Sequence, residues 1–249
     1  MSGPARILTI AGSDCSGGAG IQADLKTIIM LGGYGMSAIT AITAQNTLGV
    51  YSVEALGAQM VAAQIDACID DIGVDAVKIG MLGSAAIAHT VADRLERMAV
   101  PVVFDPVMIA TSGGMLADAP TVEAFARLMA LSTLTTPNVP ELAALGGAQA
   151  LTAVPFLAKG GDAEGPVVED SLHLPGAEPM VWHASRIDTR HTHGTGCSLA
   201  SAIATGLGQG LGLMAAVERG RRFVREALLA APGFGGGHGP LGHERVKGV

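Results

Sequence analysis

The sequence predicts an α/β chain: a mostly parallel sheet with helices on both faces. Three observations carry this. Short apolar runs rich in β-branched residues alternate with longer stretches whose apolar residues recur at helical spacing. Glycine-rich turns follow strands or open helices, as at 12–20 and 194–196. Polar residues gather where the apolar runs end, the edge at which parallel sheets hold ligands. Composition agrees. Of 249 residues 49% are hydrophobic and 15% charged, enough apolar material for a large core and too little charge for a disordered chain. No linker and no internal repeat interrupts the pattern, so one domain spanning 1–249 is expected.

The elements follow in order. Residues 6–11 form an apolar strand, and the glycine-rich loop 12–20 comes next. Ile21, Leu25, Ile28 and Ile29 lie on one face of a helix that Gly32-Gly33 ends. Residues 34–45 read as a strand closed by Gln45-Asn46, and 51–53 as an edge strand. A helix is predicted over 58–72 and a strand over 76–79. Ser84 reads as the N-cap of a helix through Met98. Strand 100–104 ends at Asp105-Pro106. Thr111-Ser112-Gly113-Gly114 reads as a loop, and 121–129 as a helix. Residues 134–136 are short and extended, and Asn138 opens a short helix to Leu145. Strand 154–158 ends at Lys159-Gly160-Gly161-Asp162. Residues 167–174 and 180–187 form a hairpin, and the last helix covers 213–229. The segment 239–243 is expected to cover an edge of the site.

Several functions are excluded at this stage. The net charge is −7 with no basic run, so nucleic acid is not an expected partner. Aromatic residues reach only 3%, too few for base-stacking platforms. Cys15, Cys68 and Cys197 are odd in number and lack CxxC spacing, which argues against a disulfide framework or a zinc site. The N-terminal apolar run is too short for a secretory signal. No apolar run approaches the roughly 18 residues of a membrane span. A cytoplasmic protein without a membrane partner is expected.

His193-Gly194-Thr195-Gly196-Cys197-Ser198 draws the eye first. Two glycines permit close backbone approach, and a run of small, helix-prone residues follows. The first amides of a helix have no intrahelical partner and sit at the positive end of its dipole, so such a turn binds phosphate. Cys197 stands at its mouth, where a helix N-terminus lowers a thiol's pKa. The loop at 12–20 fits neither common phosphate motif. Gly12 and Gly17 have Walker spacing, but Gly18 stands where the lysine belongs. Gly18, Gly20 and Ala23 match the dinucleotide fingerprint only loosely, and no acidic residue closes the next strand.

Asp14, Gln45, Met81, Asp105, Asn138, Glu141, Lys159 and Cys197 all fall at one predicted sheet edge. Each has a structural reading as well. Asp105 before proline reads as a turn, Asn138 and Glu141 as a helix cap and its capping-box partner, and Lys159 as a solvated loop charge. Their coincidence at a single edge is what packing alone does not explain.

Gly12-Ser13-Asp14 with Ser16-Gly17-Gly18-Ala19-Gly20-Ile21-Gln22-Ala23-Asp24-Leu25-Lys26-Thr27 closely resembles the N-terminal signature of the bacterial hydroxymethylpyrimidine/phosphomethylpyrimidine kinases of thiamine biosynthesis. Ala44-Gln45-Asn46-Thr47, Lys78-Ile79-Gly80-Met81-Leu82, Asp105-Pro106-Val107-Met108, Thr136-Pro137-Asn138 and Thr192-His193-Gly194-Thr195-Gly196-Cys197 resemble the same family in the same order. The resemblance implies a ribokinase-like three-layer sandwich. It also implies an ATP- and Mg2+-dependent enzyme, acting as a homodimer, that phosphorylates 4-amino-5-hydroxymethyl-2-methylpyrimidine and then its monophosphate. By the same resemblance Gln45 pairs with the aminopyrimidine edge, and Asp24 helps hold the pyrimidine or its hydroxymethyl end. Gly12, Met81 and Val107 line the ring. Cys197 is the base near the substrate hydroxyl, and the amides of Gly194, Thr195, Gly196 and Cys197 form the anion hole. Asn138 and Glu141 match an Asn-x-x-Glu element that orders Mg2+ and the ATP phosphates, Glu141 through water. Lys159 lies along the phosphates, with Asp105 in the same polar set. Pyridoxal kinase on the same fold is the nearest alternative, and a pyrimidine-binding protein with an impaired nucleotide site is another.

The chain departs from the family pattern on the nucleotide side. The stretch between Glu141 and Lys159 is too short for the usual crossover helix, since six residues reach only about 20 Å even when extended. Asp162 follows the Lys-Gly-Gly turn where the family typically has His. An irregular connection over 146–154, a poorly covered sheet face beneath it and weak ATP binding are therefore expected.

Overall fold

A computed structural model describes residues 3–109 and 116–249. The predicted loop at Thr111-Ser112-Gly113-Gly114 lies outside the described residues. One nine-stranded sheet has the order β3-β2-β1-β4-β5-β6-β7-β8-β9. β1 (Arg6–Asp14), β2 (Tyr34–Asn46), β4 (Ala76–Ile79), β5 (Val102–Phe104), β6 (Leu134–Thr135) and β7 (Phe156–Ala158) run parallel. β3 (Gly49–Ala55) is antiparallel to β2 at one edge, and the hairpin β8 (Val167–His173) and β9 (Met180–Ser185) is antiparallel at the other. Parallel strands must return across a face, and the helices do so on both sides.

Side-chain alternation along the central strands builds the two cores. Leu8, Ile10, Val77, Ile79 and Phe104 face α2 (Ala58–Ala67), α3 (Ala85–Leu95) and α4 (Ala119–Leu131). Ile7, Val103, Leu134 and Leu157 face α6 (Thr195–Gly208) and α7 (Leu213–Leu229), while Ile28 of α1 (Gly20–Met30) joins the same layer. The predicted cap at Ser84 forms, its Oγ accepting from Ile87 N at 3.3 Å, and the structure adds a cap not expected from the sequence, Asp118, which accepts from Thr121 N at 3.1 Å at the start of α4. α5 (Val139–Ala144) carries the complete capping box: Glu141 N donates to Asn138 Oδ1 and Asn138 N donates to Glu141 Oε2, each at 2.9 Å. Among the described residues no helix is long and apolar enough to cross a membrane.

The boundaries differ from the sequence expectation where tertiary contacts decide them. β1 continues past Ala11 to Asp14 through a register shift against β2. The predicted helix over 58–72 ends in a wider last turn, with Gly73 N bonded back to Cys68 O at 3.0 Å. The connection at 146–154 holds only one short turn, Ala148–Leu151, and no crossover helix. The sheet beneath it is nevertheless covered, contrary to expectation. Leu151 is buried there, Phe156 is 1% exposed, and the His173 ring stacks on Phe156 with centroids 4.3 Å apart.

Candidate active site

The carboxyl ends of the parallel strands open onto a cleft of about 920 Å³. Of the thirteen residues to which the resemblance gives a role in the site, twelve line it: Gly12, Gln45, Met81, Asp105, Val107, Asn138, Glu141, Lys159, Gly194, Thr195, Gly196 and Cys197. Gly12 lies against the end of the Met81 side chain, which fills the space a Cβ there would take.

Asp24 is the exception. It is fully buried under the cleft, accepting from Thr9 Oγ1 at 2.5 Å and Ser201 Oγ at 2.7 Å and paired with Lys78 Nζ at 2.8 Å. A carboxylate with those partners has its acceptor sites taken within the protein, so the structure places Asp24 in the floor beneath the cleft and not in its lining. Its partner Lys78 is fully buried too, yet its end reaches the cleft. Burial opposes the ammonium, but Asp24, Cys197 and Asp105 around it hold its pKa above the ordinary lysine range.

Gly194 caps α6 in the left-handed conformation, φ +89°, and a Cβ there would run into the Gly18 carbonyl. The turn therefore presents the α6 amides at the edge of the first glycine loop. Cys197 follows in the first turn of α6. Its expected low pKa does not hold. Burial pushes the thiol up to about 11, with Asp24 and Asp105 adding to the rise, against lowering by Lys78 and the Gly20 backbone N–H. Loss of hydration outweighs the helix end here.

The cationic and acidic groups stand directly across. Lys159 Nζ lies 2.7 Å from Asp105 Oδ1 and 3.9 Å from Glu141 Oε2. Asp105 also accepts from Thr136 Oγ1 at 2.9 Å. A Cβ on Gly196 would sit 3.1 Å from Lys159 Nζ and 3.4 Å from Asp105 Oδ2, so the anion turn and the cation share one space. Burial pushes the Glu141 carboxyl up to about 7, with Lys159 opposing and Asp105 adding to the shift. The turn after Lys159 is fixed by groups the sequence reading missed. Gly160 N donates to Asp170 Oδ1 at 3.1 Å, and Arg221 Nε donates to Asp170 Oδ2 at 2.7 Å. Arg186 bonds the carbonyls of Gly161 and Gly165 at 2.7 Å each, and that of Ala163. These long-range partners leave no local signature. Lys78 did leave one, as the only charged residue in the four-residue buried strand β4.

A glycine-bounded anion turn, a lysine and two carboxylates at the carboxyl edge of such a sheet define a small-molecule phosphotransferase of ribokinase-like fold. The model of one family within that class, described as phosphomethylpyrimidine kinase, matches residues 14–242. The chain belongs to that family. It is 43% identical to the hydroxymethylpyrimidine/phosphomethylpyrimidine kinase of Streptomyces coelicolor, over 96% of this chain and 94% of the relative. The crystal structure of the Clostridium difficile phosphomethylpyrimidine kinase aligns at TM-score 0.75 with 38% identity, covering 90% of this chain and 99% of that one. The ADP complex of Bacillus subtilis pyridoxal kinase aligns at TM-score 0.87 with 31% identity, covering 97% and 98%.

Proposed function

We propose that this chain, as one kinase domain in the cytoplasm, transfers the γ-phosphoryl group of ATP to the hydroxymethyl oxygen of 4-amino-5-hydroxymethyl-2-methylpyrimidine. It then phosphorylates the monophosphate to give the pyrophosphate used in thiamine biosynthesis. The observation that carries the reading is the shared space of Gly196, Lys159 and Asp105 beside Cys197. Phosphoryl transfer asks mainly for positioning and charge stabilisation, and that is what these groups supply.

In this reading Gln45 and Val107 hold the ring together with Met81, and Gln45 offers a donor and an acceptor to the aminopyrimidine edge. The α6 amides receive the transferred phosphoryl group, and Lys159 neutralises it in flight. Cys197 takes the hydroxyl proton as the base, and Lys78 is the cation that favours its thiolate. The nucleotide lies towards α5 and the hairpin, past Asn138 and Glu141. Its cation would be held by Glu141 through water and by the phosphates themselves, since Mg2+ keeps several waters and prefers oxygen donors. Asp105 and the buried Glu141 are a donor set that suits it, and it would supply charge neutralisation on the phosphates.

Homodimerisation fits the β2–β3 edge, where Leu48 and Tyr51 are each 66% exposed. The pyridoxal reading has one observation behind it, the higher TM-score to the Bacillus subtilis enzyme. The family model and the 43% identity favour the pyrimidine. Coupled ADP-release assays with the two substrates side by side decide between them. Faster turnover of pyridoxal, or turnover of neither substrate, overturns the proposal.

A further inference from the structure

We infer that Asp14 and His193 form a positioning pair that fixes the anion turn against the substrate floor and so governs turnover more than binding. The inference rests on the kinase reading above. The two residues are separated by 179 positions, yet His193 Nε2 lies 2.8 Å from Asp14 Oδ2. Both are buried, Asp14 at 1% exposure and His193 at 8%.

Asp14 is built to stay ionised. Its Oδ1 accepts from Ser16 N at 2.8 Å and Ser16 Oγ at 2.7 Å, and its Oδ2 from Gly18 N at 3.0 Å and Ala19 N at 2.8 Å. Burial opposes the charge, but the bonds from His193, Ser16 and Ala19 overcome it and hold the carboxyl well below the usual range. An ionised carboxylate only accepts, so His193 Nε2 carries the proton and donates. Charge-assisted bonds of this kind are among the strongest a side chain makes.

The loops are also interlocked sterically. A Cβ on Gly18 would collide with the His193 ring, and one on Gly194 would collide with the Gly18 carbonyl. His193 N is tied separately to Gly239 O at 3.1 Å. His193 immediately precedes Gly194, the left-handed residue from which α6 starts. Any shift of His193 is therefore passed to the amides of Thr195, Gly196 and Cys197. Small misplacements at a phosphoryl-transfer site cost rate, because reacting atoms must be held near attack distance. Neither residue needs to touch the ring or the nucleotide base for this.

Three variants test the pair by steady-state kinetics with ATP and the hydroxymethylpyrimidine. His193→Met fills the ring's volume without a donor, His193→Gln offers an amide N–H near the Nε2 position, and Asp14→Asn weakens the acceptor. His193→Met is expected to lower kcat by about 10²-fold with both KM values within about threefold of wild type. His193→Gln is expected to regain most of that loss. Wild-type kcat in a folded His193→Met protein overturns the inference, as the contact is then packing only. A His193→Gln enzyme as slow as His193→Met also overturns it, since the imidazole itself then carries a proton. If His193→Met does not fold, Asp14→Asn takes its place: unchanged kcat refutes the pair, and lowered kcat at unchanged KM supports it. Wild-type turnover in the same assay tests the kinase reading separately, and the variant-to-wild-type ratio is also read with pyridoxal.

Discussion

The two ends of the cleft are built in different ways. The end formed by β1, β2, the first glycine loop and α6 is held by buried groups with fully used hydrogen bonds: Asp24 with Lys78, Thr9 and Ser201, and Asp14 with His193 and the loop amides. The other end hangs on strands of two and three residues, a single short turn at Ala148–Leu151 and a loop fastened by Arg186. Discriminating one small ring from another needs fixed polar groups, because a buried partner left unmatched is what rejects the wrong ring. Holding a polyphosphate needs charge within reach, which a less regular scaffold can supply. The short connection at 146–154 thus falls at the end where geometry is least demanding.

The largest expected effect tests the rigidity of the first end. Lys78→Met should destabilise the protein by about 3–5 kcal/mol, because it strands the Asp24 carboxylate in the core. The double variant Lys78→Met with Asp24→Leu should be milder. Urea unfolding measures both, and a single variant no less stable than wild type would break the contrast between the two ends.

Next comes chemistry. Cys197→Ala should cut kcat by roughly 10²-fold or more, with pyrimidine binding little changed. A near wild-type rate would remove Cys197 as the base, a role that its high resting pKa makes worth testing directly.

Gln45→Ala should weaken pyrimidine binding by about 1–3 kcal/mol and leave ATP affinity in place. Calorimetry with each ligand checks this. Equal losses for both would mean that the two ends are not separable.

The smallest effect lies at the end proposed for the nucleotide. Glu141 has a raised carboxyl pKa, so the folded chain binds its proton more tightly than the unfolded chain does. Its contribution to stability falls as pH rises through about 7. On the proposed role of Glu141 towards the nucleotide's cation, binding favours the ionised form, so affinity should strengthen several-fold, by up to about tenfold per pH unit below that value, between pH 6 and 8. Glu141→Gln should flatten the profile. A wild-type profile without slope would place the cation elsewhere.

Much of this was legible in the sequence. Apolar periodicity gave the strand and helix order, including α7 over Leu213–Leu229 and the hairpin of β8 and β9. The capping box at Asn138 and Glu141 was readable because its partners are three residues apart. So was the coincidence of polar residues at the strand ends, since parallel strands leave their carboxyl ends at one edge. Tertiary structure decided what depends on burial and on partners far along the chain. Asp24 sits in a motif that looks ligand-facing, yet Lys78 and Ser201 claim it from 54 and 177 positions away. Cys197 stands at a helix end that by itself favours a thiolate, and only the surrounding core shows that lost hydration raises its pKa instead. Asp14 and His193 belong to two separate glycine turns in the sequence, and the fold joins them at 2.8 Å. Periodicity and capping are set by neighbours a few residues apart, whereas desolvation and ion pairing are set by whatever the fold brings near.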